Sequence, residues 1–189
     1  MKKHWYDYLW IASVLYLALG MFNIMFAWLG LLCFFIPIAI SLAGGGKLYC
    51  NRYCGRGELL ELLGGRFGLS RRQSPPKFLR SHAFRYGFLA FFMVMFAQML
   101  MNTWLVFSGA TGLHETVKLL WTFRVPWNWA YHGGVSPWTA QFAFGFYSLM
   151  LTSTLLGVLT MAFFKPRSWC VYCPMGTMTQ LICKAKTPD

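Results

Sequence analysis

Two short cysteine pairs are the residues in this sequence best suited to metal or redox chemistry. Cys50 and Cys54 sit in Lys47-Leu48-Tyr49-Cys50-Asn51-Arg52-Tyr53-Cys54-Gly55-Arg56-Gly57. Cys170 and Cys173 sit in Arg167-Ser168-Trp169-Cys170-Val171-Tyr172-Cys173-Pro174-Met175-Gly176. Each copy places a cation and an aromatic before its first cysteine, a tyrosine directly before its second, and a glycine three residues after it. The copies differ by one residue in the spacing, C-x3-C against C-x2-C, and matching copies mark an internal repeat with one purpose. Closely spaced thiolates are soft ligands, and one backbone turn can aim both at the same metal. Two such turns supply a tetrahedral ion or a four-cysteine iron–sulfur cluster. Lys47, Arg52, Arg56 and Arg167 would ease thiol ionisation and offset the charge of four thiolates. Zinc, rubredoxin-like iron, [2Fe–2S] and [4Fe–4S] all fit the thiol count. The competing view, that these are small packing residues at a membrane edge, does not explain two matching copies.

The elements that position these pairs are apolar helices. Of the 189 residues, 57% are hydrophobic and 12% charged, against about a quarter charged in a typical soluble domain. The expected fold is all-α and membrane-embedded, with four transmembrane helices in two hairpins over residues 8–22, 25–43, 84–107 and 138–164. The uncharged run from Tyr8 to Ala43 is too long for one ordinary span, and two helices of about 18 residues would each just cross the hydrocarbon core. Gly20, Asn23 and Gly30 offer places to turn, with a hairpin expected near Met21–Met25. Pro37 falls within the second span, where a kink is tolerable. Gly44-Gly45-Gly46 turns the chain into the first cysteine turn, 46–57, and Lys165-Pro166-Arg167 stops the last span before the second, 167–176. The whole chain reads as a single membrane domain, and no signal-peptide cleavage is expected.

Charge sets the expected orientation. All but two of the 17 Lys and Arg residues lie in the N-terminal segment, the 44–85 connection or the C-terminal segment. The positive-inside rule makes that side cytoplasmic, with both termini and both cysteine turns. The 108–137 connection, which carries Lys118 and Arg124 and several tryptophans, falls on the other side. Thiols facing a reducing compartment are not expected to form structural disulfides. Glu58–Leu63 reads as an interfacial helical turn, and Arg66–Arg85 as a solvated basic loop that contacts anionic lipid or docks an acidic carrier. Cys33 reads as a packing residue within a span, and Cys183 as an interfacial thiol. His114 and His132, with Glu115, could serve haem or a quinol, although ordinary loop roles account for them more simply. Met93, Met95, Met99 and Met101 read as gap fillers, and Gln98 and Asn102, four residues apart, as interhelical hydrogen-bonding partners. Hydrolase constellations, phosphate-binding loops and nucleic-acid motifs are not visible.

From Gly46 to about Phe96 the sequence resembles the membrane-bound 4Fe-4S-binding family of ferredoxin-type electron-transfer proteins. That family includes the membrane ferredoxin subunit of periplasmic nitrate reductase systems and the membrane part of the nitrous-oxide reductase regulator. Its G-R-x-x-C-x-x-x-C-P-x-G-x-L turn is similar to this chain at Cys50, Cys54 and Gly57, and again at Cys170, Cys173, Pro174 and Gly176. Gly55 replaces the family proline, and the second pair is one residue shorter. The reading taken with this resemblance is one cluster on Cys50, Cys54, Cys170 and Cys173, with [4Fe–4S] favoured over [2Fe–2S]; separate ions on each pair, or pairing with a second chain, are the other arrangements the residues allow. The resemblance also implies a non-catalytic electron-transfer subunit of an oxidoreductase complex in a bacterial or archaeal cytoplasmic membrane. Relatives commonly continue into a soluble ferredoxin domain, so the next redox centre is expected in a partner. Other redox subunits, a soluble ferredoxin or flavoprotein, membrane quinone and membrane lipid are the partner classes this leaves open, and nucleic acid is not among them. The alternatives are a copper- or zinc-handling assembly factor and a structural membrane anchor.

Overall fold

The structure is a computed structural model that describes residues 5–43 and 49–186. Four apolar helices dominate: α1 (Leu9–Phe22), α2 (Gly30–Leu42), α5 (His82–Phe107) and α6 (Pro137–Phe163). Two short helices, α3 (Gly55–Glu61) and α4 (Lys77–Arg80), lie between α2 and α5, and α7 (Pro174–Lys186) ends the described chain. Strands β1 (Thr116–Leu119) and β2 (Phe123–Pro126) form an antiparallel ribbon between α5 and α6. The all-helical expectation is amended by this ribbon, which sits inside the segment expected to be an irregular connection.

Three helical segments are long and apolar enough to cross a membrane: Ile24–Leu42, His82–Phe107 and Pro137–Phe163. The shortest, at 19 residues, extends about 28 Å, close to the ~30 Å hydrocarbon thickness. The first apolar helix, Tyr6–Phe22, is shorter than these. Helix α1 ends where the sequence pointed, at Asn23, which adopts extended backbone angles (φ −135°, ψ 112°). Its side chain accepts a hydrogen bond from Met25 N at 3.0 Å, capping the next turn. Beyond this break, the Tyr16 hydroxyl donates to Ala27 O at 3.3 Å. Gly44-Gly45-Gly46 lies outside the described residues.

The chain divides into two compact units. The first comprises residues up to Val14, Leu32–Phe91 and Thr154 onward. Its core gathers Leu60, Met161, Trp169 and Tyr172, with Phe84 and Phe88 packed against them. Phe88 stands edge-on to both Trp169 and Tyr172, at centroid distances of 5.8 and 5.2 Å. The expected interfacial turn at Glu58–Leu63 is helical, α through Glu61 and π over Leu62–Arg66, but Leu59 and Leu60 are buried within this unit. The expected basic loop is fastened at several points. Arg71 N donates to Ala162 O at 3.2 Å, and the Ser70 hydroxyl donates to Phe164 O. Arg85 Nη2 donates to Gln180 Oε1 at 2.5 Å.

The second unit comprises Leu15–Leu31 and Phe92–Ser153. Its core is Ile24, Ala27, Val117, Trp127, Ala130, Ala143, Phe144 and Tyr147. Tyr131 ties the ribbon segment to the Asn23 break: its N–H donates to Phe22 O at 2.9 Å, and its carbonyl accepts from Ile24 N at 3.3 Å. The Tyr147 hydroxyl donates to Leu17 O at 2.8 Å.

One glycine bears directly on the cysteine turns. A Cβ on Gly157 of α6 would lie 3.2 Å from Leu60 Cδ1 and 3.5 Å from Trp169 Cγ. Residues following the first cysteine pair and preceding the second therefore pack at one small position. Gly157→Val should cost about 1–3 kcal/mol by overpacking. Thermal unfolding in detergent should show the loss, and unchanged stability would mean that Leu60 and Trp169 do not depend on this close approach.

Candidate metal centre

The two cysteine turns begin differently, a π-helical turn over Tyr49–Tyr53 and a 3-10 turn over Ser168–Val171, but end alike. Cys54 immediately precedes α3 with extended backbone (φ −81°, ψ 103°), and Cys173 immediately precedes α7. Each second cysteine thus occupies a helix-capping position, followed by Gly55 or Pro174 at the first helical position and by Gly57 or Gly176 at the third. Proline suits the first position because its missing N–H would have no helical partner anyway. The backbone N–H groups of Gly176 and Met175 hydrogen-bond to the Cys173 sulfur. A Cβ on Gly57 would lie 3.9 Å from Cys54 Sγ, and one on Gly176 would lie 3.9 Å from Cys173 Cβ. The glycines leave space beside the cysteines where any other residue would add bulk.

The departure from proline at Gly55 has a steric cause. A Cβ there would sit 2.7 Å from Leu9 O and 2.5 Å from Ser13 Oγ. The turn backs directly onto α1, leaving no room for a pyrrolidine ring.

The four thiols are brought within electrostatic reach of one another. Burial first, and then the neighbouring thiols of Cys54, Cys173 and Cys50, push the Cys170 thiol up to about 12, with Arg167 opposing. Cys170 retains an exposed surface overall, so it is the crowding around its sulfur that makes desolvation the leading cause. Burial likewise raises Cys173, with Arg56 and the two backbone N–H groups opposing and Cys54 adding to the rise. None of the six cysteines forms a disulfide. Among the described residues, no three His, Cys, Asp or Glu side chains are grouped closely enough to hold a single metal ion. Four soft thiols suit either a tetrahedral ion or a four-cysteine cluster by count and chemistry.

Several other groups bear on this set. Arg167 Nη2 pairs with Glu58 Oε1 at 2.6 Å and its Nε with Glu61 Oε2 at 3.3 Å. The residue before the second turn is thereby held by the helix after the first, a pairing missed in the sequence because the partners lie more than 100 positions apart. Arg167 still acts on Cys170, so it is shared between carboxylates and thiol. Arg56 acts on Cys173 and Tyr49, Arg52 is exposed, and Lys47 lies outside the described residues. Cys33, expected to be a packing residue, instead hydrogen-bonds with Tyr49, whose hydroxyl is raised by burial and then by the Cys33 and Cys54 thiols. Tyr172 is buried, shares a 2.5 Å hydrogen bond with the Thr160 hydroxyl, and is raised chiefly by burial. Tyr53 stands edge-on to Tyr6 at 6.1 Å. The Ser168 hydroxyl, two residues before Cys170, is buried without a hydrogen-bond partner. Cys183 lies on α7, outside the turns.

The histidines serve elsewhere. His132 Nε2 lies 3.0 Å from Glu115 Oε1, and its Nδ1 lies 2.9 Å from Ala130 O. His114 Nδ1 lies 2.8 Å from Gly112 O, and its backbone N–H donates to Gln141 Oε1 at 2.8 Å. Among the described residues, neither histidine belongs to a group of three or more His, Cys, Asp or Glu side chains that could hold a metal ion.

Residues 26–75 and 148–186 match a family model described as a 4Fe-4S binding domain. Both matched stretches contain a cysteine pair, and the match supports a ferredoxin-type iron–sulfur family and an iron–sulfur cofactor. No curated protein and no solved structure gives a significant match.

The shared ending of the turns makes an asymmetric prediction. Gly55→Pro should lower stability by about 1–3 kcal/mol, because the clash at 2.7 Å is with backbone. Gly176→Ala, whose nearest contact would be an ordinary 3.7 Å, should leave the unfolding temperature within error. Equal tolerance at both positions would contradict the packing of the first turn on α1.

Proposed function

We propose that this chain is a membrane electron-transfer subunit in which Cys50, Cys54, Cys170 and Cys173 hold one [4Fe–4S] cluster. The observation that carries the reading is that both cysteine-pair stretches match a 4Fe-4S binding domain, and Cys54, Cys173 and Cys50 all act on the Cys170 thiol. When bound, such a cluster supplies one-electron redox chemistry without bond-making in a substrate.

The chain's own residues would set the conditions for that chemistry. Arg56 and Arg167 offset part of the negative charge of the thiolates, favouring their ionised form. The N–H groups of Met175 and Gly176, at the start of the 13-residue α7, stabilise charge on Cys173. Ser168 offers a spare O–H donor beside the second turn, and hydrogen bonds to ligand sulfur raise a reduction potential. Trp169 and Tyr172, 3% and 6% exposed, exclude water from one side. Because thiols must lose protons to bind metal, assembly should be favoured as pH rises towards the raised Cys170 value.

The membrane part of the proposal rests on the apolar helices and on what they present outward. Leu32, Phe35, Met101, Trp104 and Leu159 are all more than half exposed, as lipid-facing side chains would be. With α1 as a fourth span, all but two of the 17 cations fall on one side, which the positive-inside rule makes cytoplasmic. Both cysteine turns then face the cytoplasm of a bacterium or archaeon. Exposed cations on the same side of the proposed topology, such as Arg52 and Arg72, suit an acidic redox partner, membrane-bound or soluble.

Anaerobic purification followed by EPR before and after dithionite tests the reading. A paramagnetic iron–sulfur signal should appear on reduction. Cys54→Ser and Cys173→Ser should each abolish it, because each removes one ligand of the same centre. A centre that binds metal without changing redox state would favour a structural anchor, and copper or zinc in place of iron would favour metal delivery.

A further inference from the structure

The second unit contains a cavity of about 260 Å³ bounded by α5, α6 and the β-ribbon. Its charge is unusual for this chain. Lys118 and Arg124 are the only cations among the residues of this unit. They stand directly opposite each other in the β1–β2 register, and both line the cavity. Like charges in that relation destabilise a ribbon unless something lies between them. Within this unit Glu115 is the sole carboxylate, and it is taken by His132 at 3.0 Å.

Two further features converge on the same space. Leu120 and Trp121 at the ribbon turn both have left-handed backbone, φ 49° and 63°. Thr122 N donates to Leu119 O at 3.1 Å, so the turn has the geometry that normally selects Asn-Gly. Two bulky residues in that conformation are strained, and strain of this kind collects at ligand sites. Trp121 lines the cavity. Gln98, expected to hydrogen-bond between helices, also lines it, with its Oε1 buried and lacking a donor. An acceptor without a donor asks for an O–H or N–H from a ligand.

We propose that this cavity binds a phosphate-bearing headgroup, with the anion between Lys118 and Arg124 and a headgroup hydroxyl donating to Gln98 Oε1. The volume suits a headgroup and not a whole lipid, so acyl chains of an anionic phospholipid would leave through the mouth. A free phosphate ester has the same recognition chemistry. The inference uses the membrane reading for the source of the lipid and does not depend on the cluster.

Native mass spectrometry of the delipidated full chain tests it, with titration by phosphatidylglycerol, phosphatidylcholine and inorganic phosphate. Wild type should retain one phosphatidylglycerol in clear preference to phosphatidylcholine. Lys118→Gln and Arg124→Gln should each weaken it by about fivefold, the weight of one cation near an anionic headgroup, while Lys118→Arg should preserve it. Inorganic phosphate binding with the same variant dependence, and no lipid preference, would support the anion site and assign it to soluble esters. Equal retention of both lipids by wild type and Gln variants, with no phosphate binding, would overturn the proposal. Iron content and thermal stability measured on the same samples separate loss of this site from misfolding or loss of the cluster.

Discussion

The structure depends on holding four thiols together although their ionised forms repel. Burial and neighbouring thiols push Cys170 up to about 12, so the arrangement is unfavourable for thiolates until positive charge is supplied. The protein provides some of it through Arg56, Arg167 and the first N–H groups of α7. A metal centre would supply the remainder, and its binding would be tied to proton release from the thiols. Packing must then keep the turns from separating. Leu60 and Trp169 share the space over Gly157, while Arg167 is clamped by Glu58 and Glu61. Arg167 is 42% exposed, so this clamp sets geometry more than stability.

The repeat was legible because its chemistry is local: a capping cysteine, a first-turn residue and a glycine at fixed offsets. The break at Asn23 was legible for the same reason, since an Asn between two apolar runs can cap its own turn. Interactions between distant segments were not. Nothing near Gly55 announces that Leu9 O will lie 2.7 Å from its Cβ position, and the missing proline looked like weakened resemblance. Arg167 looked like a cation for the cluster alone, because its acidic partners lie far away in the chain. Cys33 looked like packing until the chain returned Tyr49 to it.

The ribbon was hidden by its brevity. Each strand has four residues, and the connecting turn uses Leu and Trp where sequence reasoning looks for Asn and Gly. Only Val117 is fully buried in its first strand, too little alternation to register as a β pattern. Gln98 and Asn102 share a helix face as their spacing required, and that face lines a cavity in which Gln98 Oε1 is buried without a hydrogen-bond partner. Polar residues in an apolar helix thus marked the cavity, while the cations that also line it came into view only with the Lys118–Arg124 register.

The account turns on both cysteine pairs serving one polynuclear centre within one chain. Native mass spectrometry of the anaerobically purified protein measures this most directly, because it reads metal, sulfide and chain number in a single mass. The account predicts one chain carrying four irons and four sulfides. A chain carrying one zinc or iron ion, one ion per cysteine pair, or a cluster found only on paired chains would contradict it.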